Sequence, residues 1–352
     1  MRAVARIHRI DLPRIVLIGE DVIDSLGDIC GELGFRSALL VSGYKTFEIA
    51  GKRALENLRA SGMEVWRAHA GNSTLDCVSR VEEEIRRRGC DVVVGVGGGR
   101  VIDVAKMSSA RAERPFISVP TTASHDGIAS SVASLKGLDR PYSIQAQAPI
   151  AVIADSGIIR ASPYRFTASG CGDVLSKSVS VRDWRLAHSV KGEYYGAYAA
   201  SLALMSANHV MDWAEEIRAR TEEGIRTLLE ALVSCGVAMS IAGSSRPCSG
   251  SEHLFSHALD MIAPRPALHG EQCGVGTIMM AHLHGLDWEE TRETLRLLGA
   301  PTTAAELGIG EKYIVEALVR AREIRPERYT ILNEVNLSRS EARELAEFCG
   351  VI

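Results

Sequence analysis

Several things are missing from these 352 residues. The eight cysteines (Cys30, Cys77, Cys90, Cys171, Cys235, Cys248, Cys273 and Cys349) contain no C-x-x-C pair, which argues against a zinc ribbon and a thioredoxin-type site. Scattered in this way, they read as reduced, mostly buried thiols of a cytoplasmic protein. Charge of one sign is not in excess. The formal net charge is −4, and the longest like-charge runs, Glu82–Glu84 and Arg86–Arg88, fit the solvated face of a helix. Nothing here calls for nucleic acid. No apolar run reaches the roughly 18 residues of a membrane helix, and MRAVARIHRIDLPRIVLIGE lacks the long apolar core of a signal peptide. Internal repeats and low-complexity tracts are absent too. What is present is an ordinary globular balance, 46% hydrophobic and 24% charged residues, in a chain long enough for two domains.

The first 160 residues alternate short β-branched runs with helical patterns, which predicts a parallel sheet flanked by helices. Strands are expected at 15–18, 38–41, 64–67, 92–96 and 116–119, and helices at 22–33, 47–61, 75–88 and 101–111. Ser73 or Thr74 caps the third helix and Gly89 stops it. A hairpin is expected from 127–135 and 142–145 about a turn at GLDR, followed by a strand at 149–154. After Pro163 strand signals nearly vanish. Helical patterns follow at 166–188, 193–218, 222–239, 251–261, 272–286, 288–298, 313–324 and 339–348. The fold class is therefore an α/β domain with a parallel, Rossmann-like sheet (1–160) followed by an all-helical domain (161–352). The 193–218 helix is apolar around much of its circumference, which suits burial in the domain or a subunit interface.

Asp91–Lys106, DVVVGVGGGRVIDVAK, reads as strand, glycine turn and helix. Gly97, Gly98 and Gly99 let backbone N–H groups approach phosphate oxygens, and the helix N-terminus favours an anion. Asp103 is placed to hydrogen-bond back to the loop. A tight turn without a ligand has the same glycines. This turn follows the fourth strand, whereas a conventional dinucleotide fold carries its glycines after the first. In PTTASHDGIASS, residues 120–131, Thr121, Thr122 and Ser124 gather hydroxyls at the carboxyl end of a strand, the edge where open parallel sheets bind ligands. His125 and Asp126 follow them. Hydroxyls that satisfy their own turn, and a histidine satisfied in its loop, are the plainer readings.

Ser249–Gly274 holds His253 and His257, one helical turn apart, and His269 beyond a break at Pro264 and Pro266. Each alone is a core or loop histidine. Asp173 in GCGDVLSKSVS is expected near the start of a helix, where a carboxylate suits the dipole, with Lys177 one turn on. Asp173, His253 and His269 together leave a fourth position open, which is the layout of a catalytic zinc. His257 then neighbours the ligand set.

GGGRVIDVAK, PTTASHDGIASS, GCGDVLSK, SGSEHLFSHALD and LHGEQCGVGT, in this order and spacing, resemble the archaeal sn-glycerol-1-phosphate dehydrogenase family. That family sits in the wider group of glycerol dehydrogenases, iron-containing alcohol dehydrogenases and dehydroquinate synthase. The likeness covers most of the chain, including PTTAAELGI and IRPERYTIL. It implies that Gly97, Gly98, Gly99, Arg100 and Val101 hold the cofactor pyrophosphate, with Asp103 supporting the turn. It implies that Thr121, Thr122, Ser124 and Ser130 line the nicotinamide, that Asp173, His253 and His269 bind Zn2+, and that Asp126, Asp173 and His257 face the substrate. The implied reaction is reduction of dihydroxyacetone phosphate to sn-glycerol 1-phosphate by NADPH or NADH, in archaeal ether-lipid synthesis. The metal would polarise the C2 carbonyl, and the proton would come through His257 or through a water and the ribose hydroxyl. The partners expected are this small substrate and further copies of the chain, with no nucleic acid and no membrane insertion.

Iron-containing alcohol dehydrogenases carry D-x-x-x-H where this chain has Asp173 and Lys177, which favours a three-ligand zinc site. Lys177 is expected to help hold the substrate phosphate, and Arg100 stands where many relatives have serine. VSGYKT, residues 41–46, puts no acid at the second strand's end, so a 2′-phosphate is not repelled and both NADPH and NADH are expected to serve. A glycerol dehydrogenase acting on a non-phosphorylated substrate is the alternative. A dehydroquinate synthase is disfavoured, because its G-H-T-x-G-H-A run is replaced by SEHLFSHALD.

Overall fold

The computed structural model describes residues 10–135 and 143–352. Six parallel strands form one sheet in the order β1-β8-β5-β4-β2-β3: β1 Ile15–Gly19, β2 Ser37–Ser42, β3 Glu64–His69, β4 Val92–Gly97, β5 Phe116–Pro120 and β8 Ala151–Asp155. β6 Val132–Ser134 and β7 Ser143–Gln145 pair antiparallel beside it. β2, β4, β5 and β8 have every or nearly every residue buried, as expected of parallel strands covered on both faces.

The helices flanking the sheet are α1 Leu26–Glu32, α2 Tyr44–Thr46, α3 Lys52–Ala60, α4 Leu75–Arg88, α5 Gly99–Arg111 and α6 Ser156–Ala161. The helical half comprises α7 Tyr164–Leu175, α8 Lys177–Lys191, α9 Ala197–Asp212, α10 Ala214–Ala219, α11 Glu222–Ala242 and α12 Ser251–Ile262. It continues with α13 His269–Leu283, α14 Trp288–Leu297, α15 Ala304–Leu307, α16 Glu311–Ile324, α17 Ile331–Val335 and α18 Arg339–Phe348. Two apolar clusters fill the two faces of the sheet. A third fills the helical half and reaches back to Ala123, Ile128, Val152 and Ala154.

Thr74 caps α4 by accepting from Cys77 N–H, and Gly89 ends it at φ 63°. Other expected elements differ in detail. The 166–188 helix is two helices, α7 and α8, meeting at Ser176, whose hydroxyl donates to the Asp173 carbonyl at 2.6 Å and competes with the helical ladder. The 193–218 helix begins only at Ala197, because the backbone before it is tied elsewhere: Trp184 Nε1 donates to the Tyr194 carbonyl at 2.5 Å and His188 Nδ1 lies 2.6 Å from the Glu193 carbonyl. It also breaks at Trp213. The 22–33 helix opens as a 3-10 turn at Val22–Ser25, and the 47–61 helix as a wide turn at Phe47–Gly51. The hairpin's first strand shrinks to β6, with a 3-10 turn at Asp126–Ile128, and its GLDR turn lies outside the described residues. α11, 21 residues long, passes a length-and-composition test for a membrane span, yet most of it is buried inside the helical half. All eight cysteines are buried and unpaired.

Candidate metal centre and cofactor crevice

Helices α7 and α13 touch backbone to backbone. A Cβ on Gly270 would stand 1.8 Å from the Ser169 carbonyl oxygen, and one on Gly172 would stand 2.3 Å from that of Gly270. Only hydrogen fits there. A Cβ on Gly170 would likewise meet the Ala123 carbonyl at 2.1 Å. This crossing lays Asp173 against His269 and sets both beside the 121–126 loop.

Asp173 therefore occupies the last turn of α7, not the start of a helix as expected. A helix C-terminus disfavours a carboxylate, so its counter-charge must come from a side chain. Lys177 supplies it. The chain keeps helical angles through Ser176, and Lys177 Nζ lies 2.9 Å from Asp173 Oδ1 and 2.8 Å from Asp126 Oδ2. It also donates to the Cys248 carbonyl at 3.3 Å. Its ammonium is completely buried with three partners, so a phosphate contact would require displacing one of them. Burial alone would raise the Asp173 carboxyl; Lys177 and His253 outweigh it and hold it well below the usual carboxylate range. Asp126 N–H donates to Asp173 Oδ2 at 2.8 Å, locking the 125–128 turn to α7.

α12 presents His253 and His257 from one face. His253 Nε2 stands 3.5 Å from Asp173 Oδ1, and its Nδ1 is 2.7 Å from Glu252 Oε1. Glu252 is itself fixed by the Ser180 hydroxyl and the Gly250 N–H. A buried carboxylate behind a ligating imidazole sets its orientation and raises its basicity. Burial works against charge on His253, but Cys273, Asp173 and Glu252 outweigh it and push its pKa well above 6.5. Burial and the nearby His253 push His269 well below 6.5. Its ring meets that of His253 at 4.8 Å, edge to face.

His257 stacks on His269 at 5.8 Å. Burial lowers its pKa. Its Nδ1 has no hydrogen bond and lies 3.9 Å from Asp260 Oδ2, whose side chain is 31% exposed.

Donor atoms of Asp173, His253, His269 and Cys273 all lie within 4.8 Å of one another. A buried carboxylate, a buried imidazole oriented from behind by Glu252 and the half-buried His269 imidazole, from three helices, suit a divalent metal. Reading the sequence missed Cys273 and Glu252. The first had a signal, standing one helical turn after His269. The second had none, since adjacent residues on a helix do not share a face.

The cofactor crevice follows from topology. β3 lies on one side of β2 and β4 on the other, so the winding reverses between β2 and β4. In open sheets the ligand crevice opens at that reversal, at the carboxyl ends. Gly43 after β2 and Gly97–Gly99 after β4 meet there, a Cβ on Gly43 reaching Val101 at 3.7 Å. Being fourth in sequence is thus no obstacle: the glycine turn is at the switch point.

Thr121, Thr122 and Ser124 are buried along the loop after β5, and Thr122 Oγ1 would lie 3.2 Å from a Cβ on Gly98. His125 packs its ring on Gly99 and stands 6.2 Å from the His269 ring, so it links crevice and metal donors. Arg100 is exposed. Asp103 is buried, raised in pKa by that burial, and bonded to the Ser134 N–H with Lys106 at 4.0 Å. These partners tie α5 to β6. Lys106, also buried, donates to the Gly127 and Val132 carbonyls at 2.7 Å each and lies near Ser130. It fastens the loop that carries Asp126.

Residues 17–163 match the model of the family described as iron-containing alcohol dehydrogenase. Over 342 residues the chain is 54% identical to a glycerol-1-phosphate dehydrogenase [NAD(P)+] of Methanosarcina barkeri, covering 97% of this chain and 96% of that protein. The chain belongs to the glycerol-1-phosphate dehydrogenase family. A Thermococcus kodakarensis member is 54% identical over 349 residues, 99% of each chain. In fold, this family member is similar to glycerol dehydrogenase from Schizosaccharomyces pombe (TM-score 0.80, 20% identity, 97% of this chain and 90% of that). It is also similar to a probable glycerol dehydrogenase from Sinorhizobium meliloti (TM-score 0.79, 21% identity, 98% and 100%).

Proposed function

We propose that this protein reduces dihydroxyacetone phosphate to sn-glycerol 1-phosphate with NADPH or NADH at a zinc centre, as a cytoplasmic enzyme of archaeal ether-lipid synthesis. The observation that carries the reading is the set of buried Asp173 and His253 with half-buried His269, one histidine away from the glycine crevice, in a chain matching glycerol-1-phosphate dehydrogenases along its length.

Asp173, His253 and His269 would hold the zinc, which when bound supplies Lewis-acid polarisation of the substrate carbonyl. The Gly97–Val101 turn offers its N–H groups and the α5 N-terminus to the cofactor pyrophosphate. Thr121, Thr122 and Ser124 line the nicotinamide side. Asp126, beside Asp173, and His257, stacked on His269, face the substrate. Lys177 helps keep Asp173 ionised, which preserves an anionic ligand for the dication, and pairs with the Asp126 carboxylate as well. With its lowered pKa, His257 is neutral near pH 7. It therefore serves as a relay: a proton arrives at Nδ1 from the Asp260 side while the other nitrogen gives its proton to the substrate oxygen. Tyr198 and Met205, two turns apart on α9, and Tyr194 and Trp213 flanking its ends are exposed apolar residues; they support a homo-oligomer joined through this region. The boundary near residue 160 divides a cofactor domain from a metal- and substrate-binding domain.

The reading is tested by NADPH and NADH oxidation with dihydroxyacetone phosphate and with dihydroxyacetone, followed by stereochemical assignment of the product. The phosphorylated ketone is expected to be turned over far better, to the sn-1 product, with both cofactors. Equal or better turnover of dihydroxyacetone would make the protein a glycerol dehydrogenase.

A further inference from the structure

Cys273 belongs to no part of the mechanism above. It is fully buried on α13, one turn beyond His269 and facing the same way. Its Sγ lies 3.6 Å from His269 Nε2 and 3.9 Å from His269 Nδ1. With Asp173 and His253 it completes a group of four donors, each within 4.8 Å of the rest.

We infer that Cys273 is a fourth metal ligand, whose sulfur fills in the resting enzyme the position that the substrate oxygen takes during turnover. The inference rests on the metal-centre reading above. The distances favour it. Zinc–nitrogen and zinc–sulfur bonds of about 2.0 and 2.3 Å at tetrahedral angles give a nitrogen–sulfur edge of about 3.5 Å. The separation between Cys273 Sγ and His269 Nε2 is 3.6 Å. A nitrogen–oxygen edge in the same tetrahedron is about 3.4 Å, and His253 Nε2 stands 3.5 Å from Asp173 Oδ1. Two edges of the group thus match a tetrahedron around one small ion, and all four donors lie within 4.8 Å of one another.

On binding, the Sγ–H bond breaks, its proton leaves to solvent, and the sulfur lone pair forms the bond to the metal. Nothing is oxidised or reduced. A sulfur donor also biases the site toward zinc over oxygen-preferring magnesium or manganese. A closed four-ligand set is the arrangement of structural zinc sites. Holding it only at rest would keep water off the metal until the substrate arrives.

The test is X-ray absorption at the zinc edge of the intact, substrate-free protein, alongside zinc titration of wild type, Cys273→Ser and Cys273→Ala. One sulfur at about 2.3 Å is expected in wild type, with only nitrogen and oxygen at about 2.0–2.1 Å in both variants. Zinc affinity should fall about 10- to 100-fold in the variants. A wild-type spectrum with nitrogen and oxygen only overturns the inference and leaves the three-ligand centre standing. A wild-type protein that takes up no zinc would remove the centre itself. Because wild type carries the decisive reading, a poorly folding variant does not rescue the idea.

Discussion

Gly97–Gly99 and the set Gly170, Gly172 and Gly270 both lack room for a Cβ, but what fills the room differs. At the β4–α5 turn the neighbours are side chains: Val101, Thr122 and His125. At the α7–α13 crossing they are backbone carbonyls of Ala123, Ser169 and Gly270. The Thr122 hydroxyl and the His125 ring can rotate aside for a ligand, whereas the Ser169 and Gly270 carbonyls cannot move without their helices. The first set therefore keeps a space that a cofactor can enter. The second holds two helices at a fixed distance and so fixes the distance from Asp173 to His269. The same residue type leaves open space in one region and sets a helix–helix distance in the other.

That contrast can be broken in order of expected effect. Asp173→Ala removes the anionic ligand. Metal content should fall to background, and with it several kcal/mol of transition-state stabilisation, about a thousandfold or more in kcat. Metal analysis and kcat on one preparation check this, and an active, metal-free variant would refute the ligand assignment. Lys177→Met leaves the buried Asp173 and the part-buried Asp126 carboxylates without their cation. A loss of about 3–5 kcal/mol in urea unfolding is expected, with the KM for dihydroxyacetone phosphate in surviving protein reporting any part in phosphate binding.

Gly270→Ala pushes α13 off α7. It should cost about 1–3 kcal/mol and weaken metal binding measurably. Gly99→Ala has only the His125 ring to move. Its stability should change by about 0.5 kcal/mol or less, while the KM for NADPH rises on the order of tenfold, near 1.4 kcal/mol. Equal stability losses in the two glycine variants would erase the distinction.

Acid should probe the centre as well. His257 and His269 have folded pKa values below 6.5, so below that pH the unfolded chain binds more protons than the folded one. The metal-free protein should lose stability as pH falls from about 6.5, at up to about 1.4 kcal/mol per pH unit for each imidazole. His253, raised above 6.5, is charged in both states there and adds no slope. Urea midpoints at several pH values, for wild type and His257→Gln, would show the slope and its reduction.

The sheet was legible because buried parallel strands read as unbroken β-branched runs, VVVGV in β4 most clearly. The gathering of Asp173, His253 and His269 was legible through motif order. Helix ends were less so. Ser176 breaks a continuous helical pattern through a side-chain hydrogen bond that periodicity does not register, and this reversed the reading of Asp173 from helix start to helix end. The task of Lys177 was hidden too, since its three partners come from α7, the 121–126 loop and the turn before α12. Cys273 was passed over as one buried thiol among eight; only the fold shows that it alone of them stands with the histidines.

The account turns on a metal held between α7, α12 and α13. Its most direct test is NADPH oxidation with dihydroxyacetone phosphate by protein stripped with a chelator, with metal content measured on the same sample, before and after adding zinc. The rate should collapse with the metal and return with about one zinc per chain, the number that one such centre takes. A stripped protein that keeps its full rate would contradict the central claim.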